Sequence, residues 1–154
     1  VNVIAPIMTE PGGAAWKQTI YYPYYFASIF GRGTALKLGV DSPSYDADVA
    51  DNVPYLDISG VHDKQANTLT FFAINRHGSE ELELSIDLKG FGGAARIIDH
   101  QVVTHADLKI ANTLANPNAV APRAGSGIGI GIDGDTLTGK LPAYSYQMIR
   151  VQLG

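Results

Sequence analysis

The 154-residue sequence contains no cysteine. That excludes a disulfide framework and any chemistry that needs a thiolate, and it fits a reducing compartment without requiring one. Positive charge is sparse: 11 Lys and Arg stand against 15 Asp and Glu, for a net charge of −4. No basic patch offers a surface to nucleic acid or to an anionic membrane. No apolar run reaches the ~20 residues that a helical membrane span needs. The four histidines, His62, His77, His100 and His105, show neither a helical i,i+4 pair nor zinc-ligand spacing. His100 and His105 could meet across a turn, but two ligands make a weak site. Asp41, Asp46, Asp48 and Asp51 supply hard oxygen ligands without the order of an EF-hand, so 41–52 reads as a solvated loop. No Gly-x-Ser-x-Gly elbow or Walker loop is present. Gly129-Ile-Gly-Ile-Asp-Gly134 matches a dinucleotide fingerprint as a string. No helix pattern follows it, and Asp133 would face the phosphates, so that reading is discarded. Neither a metal nor a cofactor is expected.

What is present is ample apolar material, 45% of residues, enough for a domain with a sizeable core. From Thr34 onward the chain has β character. Thr34–Val40 alternates, and Tyr55–Val61 with Asn67–Asn75 flanks His62–Ala66 as a hairpin. Leu82, Leu84, Ile86 and Leu88 alternate strictly with Glu83, Ser85 and Asp87, which predicts a half-buried strand with one wet face. Ala95–Thr104 is a further strand. His105–Pro122, with Asn112, Asn116, Pro117, Asn118 and Pro122, reads as a long crossing loop, either functional or packed on a neighbouring domain, with packing favoured. Glycine alternates with isoleucine over 125–134, a thin and close-packed strand. Pro142–Leu153 closes the chain as a strand whose two faces are both mixed, as expected near a sheet edge. Short strands with turn punctuation indicate an antiparallel sandwich.

The first thirty residues differ. Ile4–Met8 is an apolar run ended by Glu10-Pro-Gly-Gly13, and its length favours a buried strand. Trp16, Ile20, Tyr24 and Ala27 then recur at three- and four-residue steps, predicting a helix over 15–30. Pro23 should kink or restart it, and Gly31 and Gly33 should close it. One strand and one helix cannot complete a parallel sheet, so this unit needs partners from outside the chain.

Val1-Asn-Val-Ile-Ala-Pro-Ile-Met-Thr9 and Trp16-Lys-Gln-Thr-Ile-Tyr-Tyr-Pro-Tyr24 resemble the end of the catalytic barrel in family 51 glycoside hydrolases, the α-L-arabinofuranosidases. Gly31-Arg-Gly33, Pro54-Tyr-Leu-Asp57, Phe72-Ala-Ile-Asn-Arg76 and Leu141-Pro-Ala-Tyr-Ser145 follow in the family's order. The resemblance implies a mainly β chain: a jelly-roll-like antiparallel β-sandwich over 33–154, preceded over 1–32 by the single strand-helix unit that completes a (β/α)8 barrel. It implies a retaining exo-acting enzyme that removes arabinofuranosyl side chains from plant polysaccharides. Its partners would be the upstream barrel portion and an arabinose-containing oligosaccharide or polysaccharide, with homo-oligomers common in the family. A cytoplasmic location is expected, with secretion as the alternative.

Retaining glycosidases use two carboxyl groups about 5 Å apart. In the resembled family both are glutamates on earlier barrel strands. Here the glutamates are Glu10, Glu80, Glu81 and Glu83, and alternation exposes Glu81 and Glu83. No catalytic residue is expected in this chain, and alone it should be inactive. Gln18, Trp16 and Glu10 are the candidate substrate-binding residues, because loops after barrel strands line the active site. In the family the glutamine matching Gln18 hydrogen-bonds sugar hydroxyls, for which an amide suits as donor and acceptor. The alternative is a glutamine that packs or caps the first helical turn. Trp16 would stack on sugar or fill core. Tyr21, Tyr22, Tyr24, Tyr25 and Phe26 are core between barrel and sandwich, or else a carbohydrate platform. The rival to the enzyme reading is a non-catalytic β-sandwich that binds carbohydrate or mediates assembly.

Overall fold

The computed structural model describes residues 4–92 and 95–154. The chain opens with an antiparallel hairpin of β1 (Ile7–Thr9) and β2 (Ala15–Lys17), followed by helix α1 (Tyr21–Phe30). The remaining strands are β3 (Thr34–Ala35), β4 (Ser44–Ala47), β5 (Ala50–Pro54), β6 (Leu56–Asp63), β7 (Thr68–Asn75), β8 (Leu82–Asp87), β9 (Arg96–Thr104), β10 (Arg123–Ala124), β11 (Gly131–Asp133), β12 (Thr136–Leu141) and β13 (Ser145–Gln152). Six of them form one sheet in the order β10-β9-β13-β7-β6-β3, and three form a second in the order β11-β12-β8. Every pairing is antiparallel, so the expected mainly β sandwich is found.

The large sheet is a middle layer. On one face Leu69, Phe71 and Ala73 of β7 and Ile149 and Val151 of β13 meet Leu84, Leu137 and Leu141 of the small sheet. On the other face Phe72, Val103, Tyr146 and Met148 meet Tyr22 and Phe26 of α1, with Ile110 and Val120 from the long loop. A strand buried on both faces carries apolar residues in both parities. This corrects the expectation that the closing strand lies near an edge. β13 sits between β9 and β7, and its mixed faces reflect double burial. The half-buried strand holds as expected: Leu84 is buried and Glu83, Ser85 and Asp87 are exposed. The β6–β7 hairpin also holds. Asp63 accepts from the N–H groups of Gln65 and Ala66, and Asn67 takes φ +52 to turn the chain.

The opening segment departs from expectation in three ways. Residues 15–17 are strand, because Gly12 at φ +66 folds the chain back and pairs Met8 with Trp16. The helix therefore starts at Tyr21. Pro23 falls in its first turn, where a missing N–H costs nothing, so no kink results. Ile4 and Ile7 are exposed, at 79% and 50%, where a buried strand was expected. Val1, Asn2 and Val3, which open the block that carries the resemblance, lie outside the described residues. Elsewhere, the expected loop over 41–52 holds the β4–β5 hairpin. The expected strand over 125–134 reduces to β11, with turns before it.

Burial against the sheet raises the Tyr146 hydroxyl above the ordinary phenol range, and that hydroxyl has no hydrogen-bond partner. Arg150 lies 4.2 Å over the Phe30 ring, a cation–π contact that ties the end of α1 to the sheet. Phe26 stacks on Tyr146 with centroids 6.3 Å apart. Phe26→Ala should cost about 3–5 kcal/mol in chemical denaturation, since it leaves a cavity between helix and sheet. Tyr146→Phe should be neutral or stabilising by up to about 1 kcal/mol at pH 7, because it removes an unpaired buried hydroxyl. With the folded-state pKa raised, the parent's stability from Tyr146 is intact below the unfolded value of about 10 and falls as pH rises beyond it. Denaturation above that pH should therefore show a flatter decline for Tyr146→Phe than for the parent.

Candidate functional site

Gln18 and Trp16 come together on one carbonyl. The Trp16 indole N–H donates to the Asn112 carbonyl at 3.0 Å, and the Gln18 amide Nε2 donates to the same oxygen at 2.8 Å. The hairpin sets this up locally. Trp16 lies in β2, while the Gln18 backbone N–H donates to Pro6 and its carbonyl accepts from the Tyr21 N–H at the helix start. Both side chains are thereby aimed at the long loop. Asn112 is buried, and its side chain is fully engaged. Its Nδ2 donates to the carbonyls of Lys17 at 2.9 Å and Val120 at 2.8 Å, and its Oδ1 accepts from the Val120 N–H at 2.8 Å. The loop 105–122 packs on the hairpin and α1 of this same chain.

Glu10 does not join this cluster. It is exposed in the turn of the hairpin, where its carbonyl accepts from Gly13 at 2.9 Å. Glu80, Glu81 and Glu83 are exposed on the sandwich, and Glu81 lies 3.7 Å from Lys140. The histidines are dispersed. His100 is 2.6 Å from the Gln147 amide oxygen, and His105 caps the Asp107 N–H. Among the described residues no group of three or more His, Cys, Asp or Glu could hold a metal. The aromatic cluster divides: Tyr22 and Phe26 are core, while Tyr24 and Tyr25 face outward.

A cleft of about 780 Å³ lies on the helix side of the large sheet. Thr19, Ile20 and Pro23 line one wall, and Tyr45, Tyr55 and Tyr144 another. Gln18 is outside that lining. Tyr45 stacks on Tyr55 at 4.8 Å, and Tyr55 leans on His77 at 4.5 Å. Arg76, also in the wall, pairs with Asp57 and donates to the Pro54 carbonyl. Tyr144 takes φ +43, and Gly78 leaves room for its hydroxyl, since a Cβ there would lie 2.9 Å from it. Sequence reasoning missed Asn112 and this aromatic wall. A lone asparagine in an irregular loop carries no spacing signal, and Tyr45, Tyr55 and Tyr144 lie far apart along the chain.

Fold and site together define an antiparallel β-sandwich domain with a hairpin-helix segment bound to its outer face. The sequence model of the alpha-L-arabinofuranosidase C-terminal domain matches residues 1–145, and the chain belongs to that family. An intracellular exo-alpha-(1->5)-L-arabinofuranosidase of Halalkalibacterium halodurans is 44% identical over 98% of the chain, and one of Bacillus subtilis is 41% identical over 99%. The structure of a family 51 alpha-L-arabinofuranosidase from Bifidobacterium longum superposes with a TM-score of 0.87 at 35% identity over 97% of the chain. The chain spans 29% of the length of each of these three proteins.

The Arg76–Asp57 pair is largely exposed, with side chains 33% and 52% accessible, so solvent screens it. Asp57→Asn should change stability by less than about 1 kcal/mol, and the difference should shrink in denaturation at high salt.

Proposed function

We propose that this chain is the C-terminal part of a retaining exo-acting α-L-arabinofuranosidase that removes arabinofuranosyl side chains from plant polysaccharides. The upstream barrel carries the cutting carboxylates. This chain contributes the last barrel unit over 1–32 and the bracing sandwich over 33–154. The observation that carries the reading is Gln18. Its Nε2 is held by the Asn112 carbonyl, and its Oε1 makes no hydrogen bond among the described residues. That leaves an oriented acceptor for a sugar hydroxyl. Trp16 and Glu10 belong to the same hairpin, Trp16 beside Gln18 and Glu10 at the turn. In this reading both lie on the substrate side, with Trp16 the nearer.

Two further observations support the assignment. The hairpin is a two-stranded sheet of its own, hydrogen-bonded into neither sandwich sheet, as suits a piece of another domain. Ile4, Ile7, Tyr24, Tyr25 and Ile29 are each exposed in the opening segment, apolar area that a barrel would cover. A free-standing carbohydrate-binding module has no use for that surface. A cytoplasmic location is supported by the relatives, which are named intracellular.

Hydrolysis of an aryl arabinofuranoside tests the reading. The chain expressed without a barrel should release nothing, and the enzyme that includes the barrel should be active. Gln18→Ala in that enzyme should lower kcat/KM by about tenfold or more, the value of one positioned hydrogen bond. Arabinose release by this chain alone would reject the assignment.

A further inference from the structure

We propose that Asn112, in the sandwich loop, is the positioning residue that sets the orientation of the Gln18 amide. The proposal rests on Gln18 as a sugar contact and extends it across the domain boundary. A carbonyl can only accept a hydrogen bond, so the edge of Gln18 that faces the Asn112 oxygen must be its NH2. The Oε1 is then turned away from the loop and offered as the acceptor. Reversal would set two oxygens against each other at 2.8 Å. The same carbonyl holds the Trp16 indole N–H, so one atom aligns both candidate substrate residues.

The carbonyl is itself held. The Asn112 side chain makes three hydrogen bonds in a buried setting, to Lys17 beside Gln18 and to both backbone groups of Val120. Val120 in turn packs against the helix and the large sheet. Asn112 thus couples Gln18 to the sandwich core through its own backbone oxygen. Alanine at 112 would strand the Lys17 and Val120 carbonyls and the Val120 N–H, which frees the loop to shift. Aspartate would set a carboxylate against two carbonyls. Glutamine is the one other residue whose side chain carries an NH2 and a carbonyl oxygen, and it is one methylene longer than the asparagine that makes these contacts.

The experiment uses the enzyme with its barrel and compares Asn112→Ala, Gln18→Ala and the double variant on an aryl arabinofuranoside, with crystal structures of each. Asn112→Ala should lower kcat/KM by about tenfold, the double variant should be no worse than Gln18→Ala alone, and Gln18 should be rotated or disordered in the Asn112→Ala crystal. Losses that multiply in the double variant, or a Gln18 that keeps its parental orientation in Asn112→Ala, would overturn the proposal. A rotated Gln18 with unchanged kinetics in all three variants upholds the orienting role and rejects the sugar contact instead. Gln18→Glu covers the case in which Asn112→Ala does not fold. Its carboxylate cannot donate to the Asn112 oxygen, so it should swing away and match Gln18→Ala in kcat/KM. A glutamate found in the parental position with parental kinetics would sink the idea.

Discussion

A buried asparagine amide has to be satisfied on both of its ends, and Asn112 is satisfied by two segments, at Lys17 and Val120, that lie far apart along the chain. One is the end of the opening hairpin at Lys17, and the other is the loop's own return at Val120. The placement of the hairpin follows from that pairing. Once Lys17 is bound, Trp16 and Gln18 on either side of it reach the Asn112 carbonyl. Leaving these backbone groups unpaired would cost about 1–3 kcal/mol each, a large fraction of a typical domain's stability. Polar satisfaction therefore fixes where the hairpin lies, while apolar burial supplies the adhesion.

That adhesion comes from the middle sheet. Its inner face closes the sandwich with Leu69, Phe71, Ile149 and Val151, and its outer face receives Tyr22 and Phe26. A sheet covered on both sides can act as a rigid plate between two functions. The small sheet shields the core from water. The hairpin segment carries Glu10, Trp16 and Gln18, the residues that the proposed enzyme presents to sugar, and the helix anchors that segment to the sheet. The sandwich, in this view, is more than a passenger beside a barrel, because its loop bonds directly to Trp16 and Gln18, the residues proposed to face substrate.

Much of the architecture was legible along the chain. Leu82, Leu84, Ile86 and Leu88 alternate with polar residues, and the strand they form is half buried for that reason. The β6–β7 hairpin was readable from two β-rich runs around a polar turn. The exposed glutamates followed from the same alternation. The opening was misread. The three- and four-residue steps of Trp16, Ile20 and Tyr24 mimic a helix, but a glycine turn at Gly12 lets 15–17 pair with β1, and cross-strand pairing prevails over local periodicity. β13 was misplaced at an edge because single-sequence patterning cannot separate a wet face from a face buried by a helix.

The sequence by itself determined the antiparallel sandwich and, through its ordered motifs, the resemblance to the family that singles out Gln18. These follow from composition, alternation and ordered motifs, all of which are local along the chain. Only the tertiary structure decided that Gln18 and Trp16 share the Asn112 carbonyl, that Tyr45, Tyr55 and Tyr144 form one wall, and that α1 lies on the sandwich. Each of those depends on contacts between segments distant along the chain, and a hydrogen bond across 94 residues leaves no mark in spacing or periodicity.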